Sequence, residues 1–240
     1  HAGGPQANDT NCSVCHTSTD AGLESIPTKH LDQYTDPAAP IVTADILSVE
    51  NTGPGEIPEI VFDVKVNGQP LDILAQPLTR LAVTVAGPTT DYASFVTYTI
   101  QGSGKTGTLA ADPMGFRYTL PTPMDAAAVG TYGFALEGYQ QPGGSTGPRY
   151  AMYNPVAYGA VTDAVPEPRR EVVTTTQCNS CHSHIVGHGS RLNTEYCVFC
   201  HNPNNVNDER VSRFEGQTVI AHSVDFRTMI QKSNIGEELT

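Results

Sequence analysis

The chain contains no tryptophan, and residues 41–165 contain neither cysteine nor histidine. That long middle stretch therefore lacks the thiolate and imidazole donors that hold transition metals. Positive charge is also scarce. Thirteen Lys and Arg face 25 Asp and Glu, giving a net charge of −12 and a pI near 4.9. Nucleic-acid binding needs a basic face to neutralise phosphates, so this balance excludes it. It equally excludes docking on anionic lipid through a polybasic patch. No apolar run approaches the roughly 18 residues of a membrane-spanning helix, so no transmembrane segment is expected. The opening HAGGPQANDTNC lacks the pattern of a signal peptide and reads as a mature N-terminus or an artificial boundary. Apolar residues make up 38% of the chain, which allows only a modest protein core.

The residues that are present fall into three regions. Residues 1–40 are polar and turn-rich. Residues 41–165 alternate as strands do, in the runs 41–50, 59–66, 80–87, 94–101, 115–121 and 130–138. Asn67-Gly68 after "FDVKV" is a tight-hairpin signal. Short strands at this spacing imply an antiparallel β-sandwich or a split or small barrel. A proline-rich hinge, DAVPEPRR (163–170), leads into residues 166–240, whose one helix-like stretch is VDFRTMIQKS (224–233). The expected fold is mainly β, with little helix, set between irregular ligand-carrying segments. Within the β region, GSGKTG (102–107) resembles a phosphate-binding loop, but Thr99 stands where that motif needs glycine. A hairpin turn is expected there instead.

All six cysteines lie in one repeated pentapeptide, Cys-x-x-Cys-His: Cys12/Cys15/His16, Cys178/Cys181/His182 and Cys197/Cys200/His201. This is the attachment signature of c-type haem. Two thiols add across the porphyrin vinyl groups, and the adjacent histidine is placed under the iron. Cys178, Cys181, Cys197 and Cys200, with 15 residues between the pairs, also have the spacing of a four-cysteine zinc site. Zinc, like three local disulfides, gives no role to the histidine after every pair. The expected cofactors are three covalently attached haems c. No cysteine then remains as a nucleophile or redox thiol, and no catalytic residue is expected.

His16, His182 and His201 are the expected proximal ligands. Of the other histidines, His30 lies 14 residues beyond His16, enough chain to reach the opposite face of the first haem. His188 lies six residues after His182, a short path to its own haem's far face, and is expected to ligate a neighbouring one. His222 follows the third motif. These three histidines suffice to close every iron, which favours an electron carrier over an enzyme, since a haem enzyme keeps one position open. The alternative is a multihaem reductase of a small nitrogen or sulfur compound with one open haem.

The last region resembles the outer-surface decahaem cytochromes of metal-reducing bacteria, the OmcA/MtrC type. The residues that carry the resemblance are CNSCHSHIVGHGSRLNTEYCVFCHNPN (178–204) and VDFRTMIQKSNIGEEL (224–239). This chain would be a short trihaem relative or a fragment. Gln231 and Asn234 stand where the family tends to have histidine. The resemblance implies export to the extracellular or outer cell surface, with the periplasm as the alternative. It also implies electron transfer to other multihaem cytochromes or to extracellular metals and minerals. A homopolymer with a continuous haem chain, a nanowire, is a further state that the remote first haem suggests.

Overall fold

The structure is a computed structural model; it describes residues 34, 36–181, 184–204, 213–214, 217–218 and 225–235. Its contacts divide the chain into two units, His1–Ala39 and Pro40–Thr240. Cys12, Cys15, His16 and His30 lie outside the described residues, as do His182 and His222.

The second unit begins with two antiparallel sheets. One contains β1 (Val42–Glu50), β2 (Glu59–Val66), β3 (Gln69–Pro70), β6 (Thr108–Asp112) and β7 (Gly115–Thr119), in the order β1-β2-β7-β6 with β3 paired to β2. The other contains β4 (Arg80–Gly87), β5 (Ser94–Gln101), β8 (Thr131–Gln140), β9 (Tyr150–Ala151) and β10 (Val156–Ala160), in the order β10-β8-β4-β5 with β9 paired to β8. Neither sheet closes on itself, so the sandwich reading holds and the closed-barrel variant does not. All six expected strands form. Asn67 (φ 51°) and Gly68 (φ 76°) adopt the left-handed pair that a two-residue hairpin requires, joining β2 to β3. The loop 102–107 differs from expectation. β5 and β6 belong to different sheets, so this turn carries the chain across the sandwich and is not a hairpin.

Period-two alternation builds the core. Ile60, Phe62, Leu81, Val83, Phe134 and Leu136 point between the sheets and are almost wholly buried. Yet β4 and β8 are buried on both faces. Their second face carries small residues, Ala82, Thr84 and Ala86 on β4 and Gly133 and Ala135 on β8, with one carboxylate, Glu137. That surface is covered by the C-terminal segment of the chain. Its helices are α1 (Thr175–Asn179), α2 (Thr194–Cys200) and α3 (Phe226–Ile235). A two-residue pairing, β11 (Arg213–Phe214) with β12 (Gln217–Thr218), precedes α3.

Phe199 and Tyr196 of α2 pack with Tyr92, Ala86 and Ala135 in a second buried cluster. Phe199 lies 4.8 Å from the Tyr92 ring centre and 5.7 Å from that of Tyr196. It can sit this low because residue 133 has no side chain. A Cβ there would come within 2.5 Å of the Phe199 ring. The connector expected to be a hinge is tied to the sandwich as well. Thr89 Oγ1 donates to the Glu167 carbonyl at 2.8 Å, and Glu167 N donates to Thr131 Oγ1 at 3.0 Å.

Gly133→Ala should therefore lift α2 from the sheet. Overpacking of this kind costs about 1–3 kcal/mol, read as a lower denaturation midpoint at unchanged slope. Equal stability would show that α2 does not rest on Gly133.

Candidate haem site

Local chemistry sets each motif cysteine in place. Thr174 and Gln177 form a reciprocal capping box at the start of α1: Gln177 N donates to Thr174 Oγ1 at 3.1 Å, and Thr174 N donates to Gln177 Oε1 at 2.8 Å. This turn carries Cys178, and Cys181 follows just beyond its end. Asn193 caps α2, its Oδ1 accepting from Glu195 N at 3.0 Å. Cys197 and Cys200 are thus three residues apart on one helix face, where neighbouring side chains meet. His201 ends the helix, its N–H donating to the Cys197 carbonyl at 2.9 Å. Thr175 joins α1 to α2, its Oγ1 accepting from Thr194 N at 2.9 Å.

His188 stands at the tip of a turn closed by paired bonds between Gly187 and Arg191: Gly187 N to Arg191 O at 2.7 Å, and Arg191 N to Gly187 O at 2.9 Å. Its φ is +52°, and Gly189 follows at +77°. A non-glycine residue held there marks a constraint imposed by its surroundings. The sandwich supplies that constraint. Asn154, fully buried, donates from Nδ2 to the Ser190 carbonyl at 3.2 Å and accepts Leu192 N on Oδ1 at 2.7 Å.

Glu137 is the electrostatic anchor. It is 3% exposed, yet its two oxygens accept from Arg191 Nε at 2.8 Å, Arg80 Nη2 at 3.1 Å and the Tyr196 hydroxyl at 3.0 Å. Thr84 Oγ1 lies 2.8 Å from the same hydroxyl. Burial pushes the carboxyl pKa up, but the bonds and charge of Arg191, with Arg80 and Tyr196, outweigh it. The net result is a pKa below the ordinary value.

The outcome is a juxtaposition. The rings of His188 and His201 have centroids 6.0 Å apart and planes only 12° apart. A metal–imidazole bond is about 2 Å and the ligating nitrogen lies about 1.2 Å from its ring centre, so two imidazoles opposed across one metal stand about 6.4 Å apart. The observed centroid separation is close to that, in a pair whose near-parallel planes are stacked.

Beside them lies a cleft of about 850 Å³, within the range of cofactor pockets, roughly 300–1,000 Å³. Cys178 and His201, from two different motifs, both line it, with an apolar surface from Val172, Val173, Val198, Phe226 and Ile230. Val172 is 73% exposed, apolar area that a flat hydrophobic ring would cover. The cleft, its Cys178 thiol and His201, with the His188 ring parallel to that of His201, together fit haem c. They do not fit zinc: among the described residues no three His, Cys, Asp or Glu side chains gather as a metal cluster, although all four cysteines of that alternative are described. None of these four cysteines is in a disulfide. Burial pushes the Cys197 thiol up to about 11 and raises Cys200 too, the opposite of a low-pKa redox pair.

Residues 170–238 match a known family. It is described as outer membrane cytochrome MtrC/MtrF-like, domains II/IV. No curated protein matches the chain. The match covers the segment that holds the second and third Cys-x-x-Cys-His motifs, and there the chain is similar to the domains of multihaem outer-membrane cytochromes. Among the described residues, no helix is long and apolar enough to cross a membrane.

The sequence pointed to His188 and His201 separately, but nothing in it pointed to Glu137, Asn154 or Gly133. The available signal for these was a strand, Gly133-Phe-Ala-Leu-Glu137, with large residues on one face and small ones plus a carboxylate on the other.

Glu137→Gln should destabilise the second unit. Breaking a buried pair costs about 3–5 kcal/mol, and partial exposure of both arginines discounts this to about 2–3 kcal/mol. The sign of its pH dependence follows from the lowered pKa. The carboxylate's contribution is complete above the ordinary value of 4.5 and fades as pH falls through the lower, folded value. Denaturation followed from pH 7 to pH 3 should therefore show the wild-type advantage over Glu137→Gln shrinking in that acid window. A constant advantage would contradict it.

Proposed function

We propose that the chain is a trihaem c-type cytochrome that carries single electrons and holds each iron between two histidines. Cys12/Cys15, Cys178/Cys181 and Cys197/Cys200 tether the three haems. His16, His182 and His201 are the proximal ligands, and His30, His188 and His222 the distal ones. The organisation is an N-terminal haem segment (1–40), the β-sandwich (41–165) and a dihaem segment (166–240). The observation that carries this reading is the near-parallel pair His188 and His201, 6.0 Å apart, with His201 lining the same cleft as Cys178. On this reading His188 is the distal ligand of the third haem.

Haem c supplies a ferrous–ferric couple, and two imidazoles hold its potential low relative to Met/His ligation. The protein does the rest. The cysteines would tether each haem and two histidines would ligate its iron, which would leave no open position for a substrate. The sandwich face orients both the His188 turn and the helix ahead of His201. That Cys178 and His201 line one cleft supports close approach of the second and third haems, as electron transfer between them requires. The partners are other multihaem cytochromes and extracellular metal or mineral acceptors. Assembly into a homopolymer through the N-terminal segment would extend the haem chain from subunit to subunit.

Mass spectrometry of the denatured chain should show three covalent haem increments. Loss of one haem's low-spin absorption is expected in His188→Ala but not in His184→Ala. An unchanged spectrum in the first variant would remove His188 from the ligand set. Rapid, stoichiometric carbon monoxide binding to the reduced wild-type protein would favour the reductase alternative.

Deletion of residues 1–36 should leave a folded dihaem protein that no longer self-associates. A full-length protein that sediments as a monomer at high concentration would end the polymer proposal.

A further inference from the structure

Two buried hydrogen-bond donors on one wall of the cleft make no hydrogen bond of normal geometry among the described residues. Tyr92 is fully buried, and its hydroxyl faces that of Tyr158 without a hydrogen bond of normal geometry to any described residue. The Arg169 side chain is 10% exposed; its Nη2 donates to Asp91 Oδ1 at 3.2 Å, while its Nε–H has no partner. Both residues line the cleft, and the Arg169 guanidinium lies 5.6 Å from the Tyr92 ring centre. The Tyr158 hydroxyl beside it donates to Glu195 Oε1, and its contact with Tyr92 lacks normal hydrogen-bond geometry.

A buried donor left unmade costs about 1–3 kcal/mol, so two together on one wall call for a shared acceptor. An arginine N–H can only donate. The phenol stays protonated because burial raises its pKa far above neutral. The backbone adds a third sign. Tyr92 sits at φ +41°, a conformation that costs a bulky residue strain and persists where something else fixes it. The missing acceptor is anionic by the company it keeps, a guanidinium and a phenol. It must enter with whatever fills the cleft, whose valines, Phe226 and Ile230 are rimmed by Arg170, Glu171, Glu195, Asp225 and Arg227.

We infer that Tyr92 Oη–H and Arg169 Nε–H together receive one carboxylate of the haem held in this cleft. This rests on the haem reading above. It makes the β4–β5 loop and the 163–170 connector positioning elements for the cofactor. Compensating that carboxylate weakens the negative field at the iron, so removing the donors should favour the ferric state.

The test uses the haem-loaded full chain carrying Tyr92→Phe, Arg169→Met or both. Covalent haem content should stay unchanged. The propionate bending band of one haem in resonance Raman spectra should shift in each single variant. In the double variant, one haem's equilibrium should move about tenfold toward ferric, equivalent to about 59 mV for one electron. Unchanged Raman bands and unchanged potentials would overturn the inference. So would a Tyr92→Phe protein that is simply more stable with its bands unmoved, since that is the behaviour of an orphaned hydroxyl. Should the double variant fail to load, Tyr92→Phe alone decides, because it removes neither charge nor bulk. A wild-type chain without covalent haem would fail the underlying reading instead, so the two failures are separable.

Discussion

A carboxylate buried in the middle of a β-sheet holds this site together. Glu137 would be strongly unfavourable in that position without its partners, and two of those partners belong to the C-terminal segment. Arg191 closes the turn that presents His188. Tyr196 lies on the helix that leads to His201. One ion-paired network thus fixes both imidazoles relative to the same strand, and their spacing follows from it. The energy of such a network lies less in attraction than in the cost of leaving any member unpaired. This makes the seat specific. A sliding α2 would strand either the carboxylate or the guanidinium.

Packing completes what charge begins. The second face of β4 and β8 is built from glycine, alanine and threonine, so an aromatic helix can approach the sheet closely. Phe199 lies directly against Gly133, with no room for a Cβ. The sandwich therefore acts as a rigid bed for a segment too short to build its own core. It does more than connect the ligand-carrying segments. Residues 163–170, which read as a hinge on proline content, are hydrogen-bonded to the bed through Thr89 and Thr131. Proline there limits the chain's freedom without loosening it.

Much of the fold was readable from residue order. Six strands obey period two with β-branched and aromatic residues, and Asn67-Gly68 marks its own turn. β6 (TLAAD) and β10 (VAYGA) escaped because alanine and glycine carry little strand signal, and their pairing is enforced by neighbours across the sheet. The loop 102–107 was readable as a turn, but which sheet the next strand joins is a tertiary choice. The haem motifs were legible because their chemistry is local: two thiols and an imidazole within five residues. The pairing of His188 with His201 and the donors Tyr92 and Arg169 were not. They arise from contacts between segments more than 10 and more than 70 residues apart, which no local pattern encodes.

The central claim is that the sandwich sets His188 and His201 opposite each other, with nearly parallel rings, across one iron. Electron paramagnetic resonance of the fully oxidised, haem-loaded protein tests it directly. Near-parallel axial imidazoles give a rhombic low-spin signal, whereas crossed planes give a highly axial one. The account predicts a rhombic low-spin species integrating to at least one haem per chain. A spectrum made up only of highly axial or high-spin species would contradict it.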